Sequence, residues 1–369
     1  MRMADKGPGP SKVLESDDAV GALGVAGKTH FEQLNAWPRK RWHALGATLF
    51  PSEMELFEAD SLQQLIKEWV IPGWAPKEPL LAVDDSVLTL GSCFARELLR
   101  YLTKAGVSSK RLWIPSGLNN SFAILDFFSW CATGEETGRG FRYDRLETGE
   151  IIEWKPEAER QAYADEFAKA GAFVFTFGLA EVWEDRETGG VFWRGVPEEI
   201  FDADRHRFRL TTVEENAANI RRIVELCGQL NPTAPVVLTL SPVPLMATFR
   251  DVSCMTADCV SKSVLRVALD QVMSDGREGV YYWPSYEVVR WAGAHLPWPA
   301  YGLHNRKPRD VSKRIVAEII DAFVEAYYTP EAVARLRATG GGSANGSKRS
   351  RARRALGGVF RSGKGPLHG

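Results

Sequence analysis

From about residue 84 onward, short apolar runs rich in branched residues alternate with amphipathic stretches, the rhythm of βαβ units. The runs "SVLTLG" (86–91), "KRLWIP" (110–115), "AFVFTFG" (172–178), "APVVLTLS" (234–241) and "GVYYWPS" (279–285) read as strands. Helical patterns fall between and after them: "FARELLRYLTKAG", "NNSFAILDFFSWCATG", "VEENAANIRRIVELCGQL", "SKSVLRVALDQVMSDG" and "SKRIVAEIIDAFVEAYY". Right-handed crossovers need a helix between parallel neighbours, so the pattern predicts an α/β protein, three layers (α/β/α) around a five-stranded, mainly parallel sheet. Such sheets carry their sites just beyond the carboxyl ends of the strands. Here those ends supply "GSC", "PSGLNN", "FGLAEVW", "SPVP" and "PSYE".

The flanks have a different character. Residues 1–27 are polar and Gly/Pro-containing and are expected to be disordered; 28–83 carry enough aromatics to fold back on the core as an extension; 84–330 form the α/β domain. Residues 340–369 read as a disordered basic tail. That tail holds seven basic residues and no acid, so with a formal net charge of −1 for the whole chain the remainder stands at −8. A tail of this kind suits an acidic partner. The chain is 44% hydrophobic and 25% charged, ordinary for a globular protein. No apolar run approaches the length of a membrane span, and the N-terminus lacks an apolar leader core, so the expected address is the cytoplasm. The five cysteines form no CxxC pair and no His/Cys/Asp/Glu cluster has ligand spacing. Free thiols and no metal are expected.

The strand ends carry the candidate chemistry. Gly91 lets the chain turn, and Ser92 and Cys93 fall at the start of the next helix, where free N–H groups and the dipole stabilise a thiolate or an oxyanion. The plainer reading is a capping serine and a small buried cysteine. Gly117, Asn119 and Asn120 offer a backbone N–H and amide side chains to a developing oxyanion, or else a turn and an asparagine cap. Glu181 is placed to bind substrate or orient a partner group, although a solvated glutamate at a helix start is commoner. Glu287 is a second substrate contact, in a stretch whose ordinary role is capping and packing. A nucleophile needs a base, usually histidine. Of the six histidines, His295 and His304 precede the last helix, and His304, ahead of Asp310, is the better candidate. Trp183 and Trp298 are compatible with sugar stacking near the strand ends, although core or domain contact is the commoner role for the twelve tryptophans.

The run "LTLGSCFARELL" resembles the GSCFA family, named for that motif, and through it the SGNH or GDSL-type hydrolases. The likeness continues in order through "PSGLNNSFAILDFFSW", "FTFGLAEVWED", "LTLSPVPLMATF", "CVSKSVLR" and "YYWPSYEVV", over about residues 84–328. The resemblance implies an SGNH-like (flavodoxin-like) fold and an esterase, deacylase or acyltransferase, often acting on glycans. In GDSL enzymes the nucleophilic serine lies two residues after the first glycine; that place is Cys93, with Ser92 as helper and the reverse assignment as its rival. Two departures stand out. Tyr301, not an acid, lies three residues before His304, and Asp310 occupies the place of a family histidine. The "GLAE" at 178–181 lacks the usual asparagine, leaving Asn119 or Asn120 to donate.

These residues imply covalent acyl transfer. Cys93 or Ser92 attacks an ester or thioester, His304 moves the proton with Asp310 near it, and N–H groups at Cys93 and Gly117 with an asparagine hold the oxyanion. The partner is an acylated or hydroxyl-bearing small molecule or glycan. No cofactor is required; a cysteine nucleophile suits a thioester co-substrate such as acetyl-CoA. The alternative is a non-catalytic module binding a glycan or a protein, its triad degraded. Nucleic-acid binding through the tail ranks last.

Overall fold

The computed structural model describes residues 50–51, 54–58, 60–91, 93–104, 118–134, 140–141, 143–145, 148, 150–153 and 157–338. The chain divides into two compact units, Met1–Met54 and Glu55–Gly369, and the description below concerns the second. Its strands are β1 (Val87–Gly91), β2 (Gly140–Phe141), β3 (Tyr143–Arg145), β4 (Ile151–Glu153), β5 (Ala172–Phe177), β6 (Glu181–Asp185), β7 (Val191–Phe192), β8 (His206–Leu210), β9 (Val236–Leu240) and β10 (Val280–Trp283). Its helices are α1 (Leu62–Leu65), α2 (Cys93–Lys104), α3 (Ser121–Thr133), α4 (Glu157–Ala168), α5 (Val213–Leu230), α6 (Cys254–Ser274), α7 (Ser285–Trp291), α8 (Lys313–Tyr327) and α9 (Pro330–Ala338).

The main sheet has four described strands, ordered β1-β5-β9-β10. All its pairings are parallel, with Leu88 opposite Phe173, Phe175 opposite Leu238, and Leu238 opposite Tyr282. Strands covered on both faces read as unbroken apolar runs, and side-chain alternation sorts their residues between two cores. Phe173, Phe175 and Leu238 pack with Phe127 and Phe128 of α3, Ile223 of α5 and Leu265 of α6. Val174 and Val237 point the other way, onto Leu98 of α2, Val289 of α7 and Phe323 of α8, together with Leu62, Leu65 and Ile66 ahead of the sheet. The run at 110–115, read as a strand from its sequence, lies outside the described residues, as do 1–27 and 340–369.

A second sheet, ordered β2-β7-β6-β8, is not anticipated by the hydrophobic pattern. Its strands "EVWED" and "HRFRL" carry charges that pair across the ladder: in the antiparallel β6–β8 pair Glu184 stands opposite Arg207, and buried Glu184 accepts from Arg207 and Arg209. Asp185 accepts a 2.6 Å bond from Arg205, which holds its carboxyl below the usual range.

Candidate functional site

The sheet's carboxyl edge is shaped by residues with little freedom. Gly91 closes β1 with φ of +111°, and a Cβ there would stand 2.1 Å from the Thr176 carbonyl oxygen. Only glycine lets β1 lie against β5 at this point and turn at once into α2. The first residue of α2 is Cys93, so unpaired backbone N–H groups of a helix begin immediately beyond the strand. Ser92, Gly117 and the Cys93 side chain lie outside the described residues.

Two further strand ends and the entry to α3 meet beside it. The Asn119 carbonyl accepts from the N–H groups of Gly178 at 2.7 Å and Leu179 at 3.1 Å. A Cβ on Gly178 would lie 3.6 Å from both that carbonyl and the Ser241 Cβ. Residues after β5 and β9 and the entry to α3 therefore pack together. The half-buried Asn119 side chain makes no hydrogen bond among the described residues. Asn120 is a different case: its Oδ1 caps α3 by accepting from the Ala123 N–H at 2.8 Å, and its Nδ2 faces the Trp193 carbonyl at 3.5 Å. The capping role has taken Asn120, leaving Asn119 as the amide that can still serve an oxyanion.

Glu181 is not the solvated helix-start group that its sequence also allowed. Glu181 opens strand β6 and is buried; its Oε1 accepts from Arg250 Nη1 at 3.1 Å, while its Oε2 is buried with no hydrogen-bond partner. Glu287 fits the packing role of its stretch. It accepts from Tyr282 at 2.9 Å and Arg266 at 2.7 Å, and Tyr282 belongs to the core face away from α2 and α8. Its carboxylate is spent in a structural network.

The histidine segment is a closed loop. Tyr301 and Val311 form an antiparallel bridge, the Gly302 N–H donates to the Asp310 carbonyl at 2.8 Å, and Asn305 Nδ2 donates to the Asp310 carboxylate. Arg306 has φ of +57°, an uncommon conformation for a residue with a side chain. Bonds from this segment bolt it to the turn after β9: Tyr301 donates to the Pro242 carbonyl at 2.9 Å, and Arg309 donates to the carbonyls of Pro244 at 2.7 Å and Leu245 at 3.0 Å. His304 is exposed near the tip, and no hydrogen bond or ion pair joins it to Asp310.

His304 and Asp310 both line a cavity of about 350 Å³, the scale of a small-ligand site. Its walls come from Arg96 and Glu97 in the first turn and a half of α2, from Pro242 and Val243 beyond β9, and from Ser285 beyond β10. The cavity therefore opens where a parallel α/β sheet places its ligands. Within it, burial and the nearby Asp321 push the Tyr101 phenol well above its usual range, keeping it neutral.

One residue was missed by sequence reasoning. Lys262 of α6 is 1% exposed, and its Nζ donates to the Gly178 carbonyl at 2.7 Å. Burial lowers its pKa to about 8, against the opposing pull of Asp258, with Arg309 and Arg290 adding to the depression. The adjacent Ser261 accepts from the Ala180 N–H at 2.9 Å. Helix α6 thus reaches across the turn after β5 with two polar side chains. The signal was a lysine in register with Asp258 and Leu265 on the apolar stripe of "CVSKSVLR".

The parallel sheet, helices on both faces and a cavity at the carboxyl edge define an α/β protein with a strand-end cavity. Residues 86–323 match the GSCFA family, and the chain belongs to it. No curated protein matches the chain. Among the described residues no helix is long and apolar enough to cross a membrane, and no group of acidic, histidine or cysteine side chains could hold a metal ion.

Proposed function

We propose that the protein is an acyl-transfer enzyme of SGNH-like fold, an ester hydrolase or O-acyltransferase acting on a glycan or another hydroxyl-bearing substrate in the cytoplasm. The observation that carries this reading is the shared cavity: the only histidine of the closed 301–311 loop and the first turns of the helix begun by Cys93 face the same space. In the proposed cycle the Cys93 sulfur, or the Ser92 oxygen, bonds to the acyl carbon. His304 takes the nucleophile's proton and returns it to the departing alcohol or thiol. Helix N–H groups and the Asn119 amide stabilise the oxyanion. Water or a sugar hydroxyl then releases the acyl group, with His304 accepting and returning a second proton. A thioester such as acetyl-CoA fits as donor, because a thiolate leaving group matches a thiol nucleophile.

The test is intact-protein mass after incubation with p-nitrophenyl acetate and, separately, acetyl-CoA. The expected result is one added acetyl group, abolished in either Cys93→Ala or Ser92→Ala and slowed at least tenfold in His304→Ala. Absence of any adduct, with nitrophenol release at the background rate, discards the enzyme reading. The second reading, a binding module, draws on the lack of any bond between His304 and Asp310; glycan binding without turnover supports it.

A further inference from the structure

The cavity has two unlike parts. Its floor is apolar, built by Val243, Val289, Val316, Ile319 and Ile320, of which Val289 and Ile319 are 1% exposed. Its rim carries Arg96, Arg100, Lys104 and Lys313 against only two carboxylates, Glu97 and Asp310. Those carboxylates are occupied, since Glu97 accepts from Arg100 at 2.6 Å and Asp310 takes the Asn305 amide. Lys104 and Lys313 have no ion-pair partner among the described residues.

This cationic rim runs against two local preferences. The chain outside its basic tail is net acidic, yet the cavity mouth is positive. Helix α8 begins after the Ser312 cap with Lys313 and Arg314 and has no acid in its first turn, although the positive end of a helix favours carboxylates there. Arg314 lies 4.5 Å above the Trp298 ring, which leaves Lys313 to face the cavity. A sequence that breaks a local rule at the mouth of a cavity marks a site.

We propose that this cavity binds an amphiphilic anion, an apolar chain carrying a phosphate: the floor takes the chain, and Lys104 and Lys313 take the phosphate. The assignment of this ligand as the acyl donor rests on the acyl-transfer reading, whereas its binding does not. Phosphate on an alkyl or acyl chain is the shared chemistry, whether it arrives on a carrier thioester or on a lipid-like monoester.

The experiment is calorimetric titration of the full chain with octyl phosphate, octyl glucoside and inorganic phosphate, each below micelle formation, at 50 and 300 mM salt. Octyl phosphate is expected to bind at least tenfold tighter than either control and to weaken with salt. Lys104→Glu/Lys313→Glu should bring it within about twofold of octyl glucoside. Both lysines are exposed, and Glu at the start of α8 suits the helix, so the near-ultraviolet circular dichroism should be unchanged. Ala317→Trp, which fills the space without altering charge, should weaken both octyl ligands. Equal binding of octyl phosphate and octyl glucoside, equal binding of octyl phosphate and inorganic phosphate, no binding of any, or an unaffected double variant overturns the proposal. An acetyl-enzyme without octyl phosphate binding removes the ligand class alone; octyl phosphate binding without any acetyl-enzyme removes acyl transfer alone.

Discussion

Lys262 shows what a single buried charge contributes at this sheet edge. Its pKa of about 8 lies below the free value of 10.5, so the native state binds its proton less tightly than the unfolded chain does. Below pH 8 both states carry the proton and the native state bears the full burial penalty. Between 8 and 10.5 the unfolded chain stays protonated while the native lysine is neutral, and the free energy of unfolding rises by about 1.4 kcal/mol per pH unit for this one proton. Above 10.5 the gain levels off. Other groups titrate in this range, so the comparison is with Lys262→Met, by urea unfolding at pH 7, 8, 9 and 10. The wild type should gain stability relative to the variant across that window. A constant difference would show that the lysine remains charged throughout.

At the scale of elements, the small sheet holds a buried carboxylate as well as apolar contacts such as Trp183 against Phe208. Glu184 is buried between Arg207 and Arg209, and its partners differ: Arg207 is 47% exposed and Arg209 is 21% exposed and also bound to Glu215 at 2.8 Å. Replacing Glu184 by Leu strips Arg209 of one partner in a half-buried place and should cost about 1–3 kcal/mol. Arg207→Ala should cost less than about 1 kcal/mol, since its charge already meets water. Denaturant midpoints measure both, and an equal loss in the two variants would mean that packing, not charge, holds β6 to β8. The same sheet explains the limit of sequence reading. Strands β1, β5, β9 and β10 were legible because burial on both faces makes their sequences continuously apolar; β6 and β8 were not, because their side chains satisfy one another across the ladder. The site divides in the same way. His304 and Asp310 were legible as candidates, and Gly91 as a turn, since each is exposed or backbone-determined. The asparagine cap was open in the sequence as an alternative because it is local, Asn120 to the Ala123 N–H, whereas the tie from Glu287 to Arg266 was hidden because Arg266 lies on a separate helix.

At the scale of the molecule, the segment that matches the family is shorter than the unit that folds. Residues 86–323 leave out Phe57, Leu62, Leu65, Ile66, Ile71 and Leu81 on one side and Tyr327, Tyr328, Ala332 and Leu336 on the other, all buried in the core cluster behind Val174 and Val237. The flanks also pair with each other: Leu80 and Leu81 donate to the Tyr327 carbonyl at 2.9 Å, and the Thr329 N–H donates to Leu81 at 2.9 Å. Six apolar side chains on the leading flank, at about 1.5–3 kcal/mol each on burial, match the whole net stability of a typical domain, about 5–15 kcal/mol. A chain cut to 86–323 should therefore lose cooperative melting and expose apolar surface, read by calorimetry and dye binding, whereas 55–338 should melt in one transition. If 86–323 melts as sharply as 55–338, the flanks only cover a core that is already complete. If it does not, the wall of the cavity formed by α8 owes its position to residues beyond the family's bounds, and ligand binding should vanish with the flanks even though every cavity-lining side chain is still present.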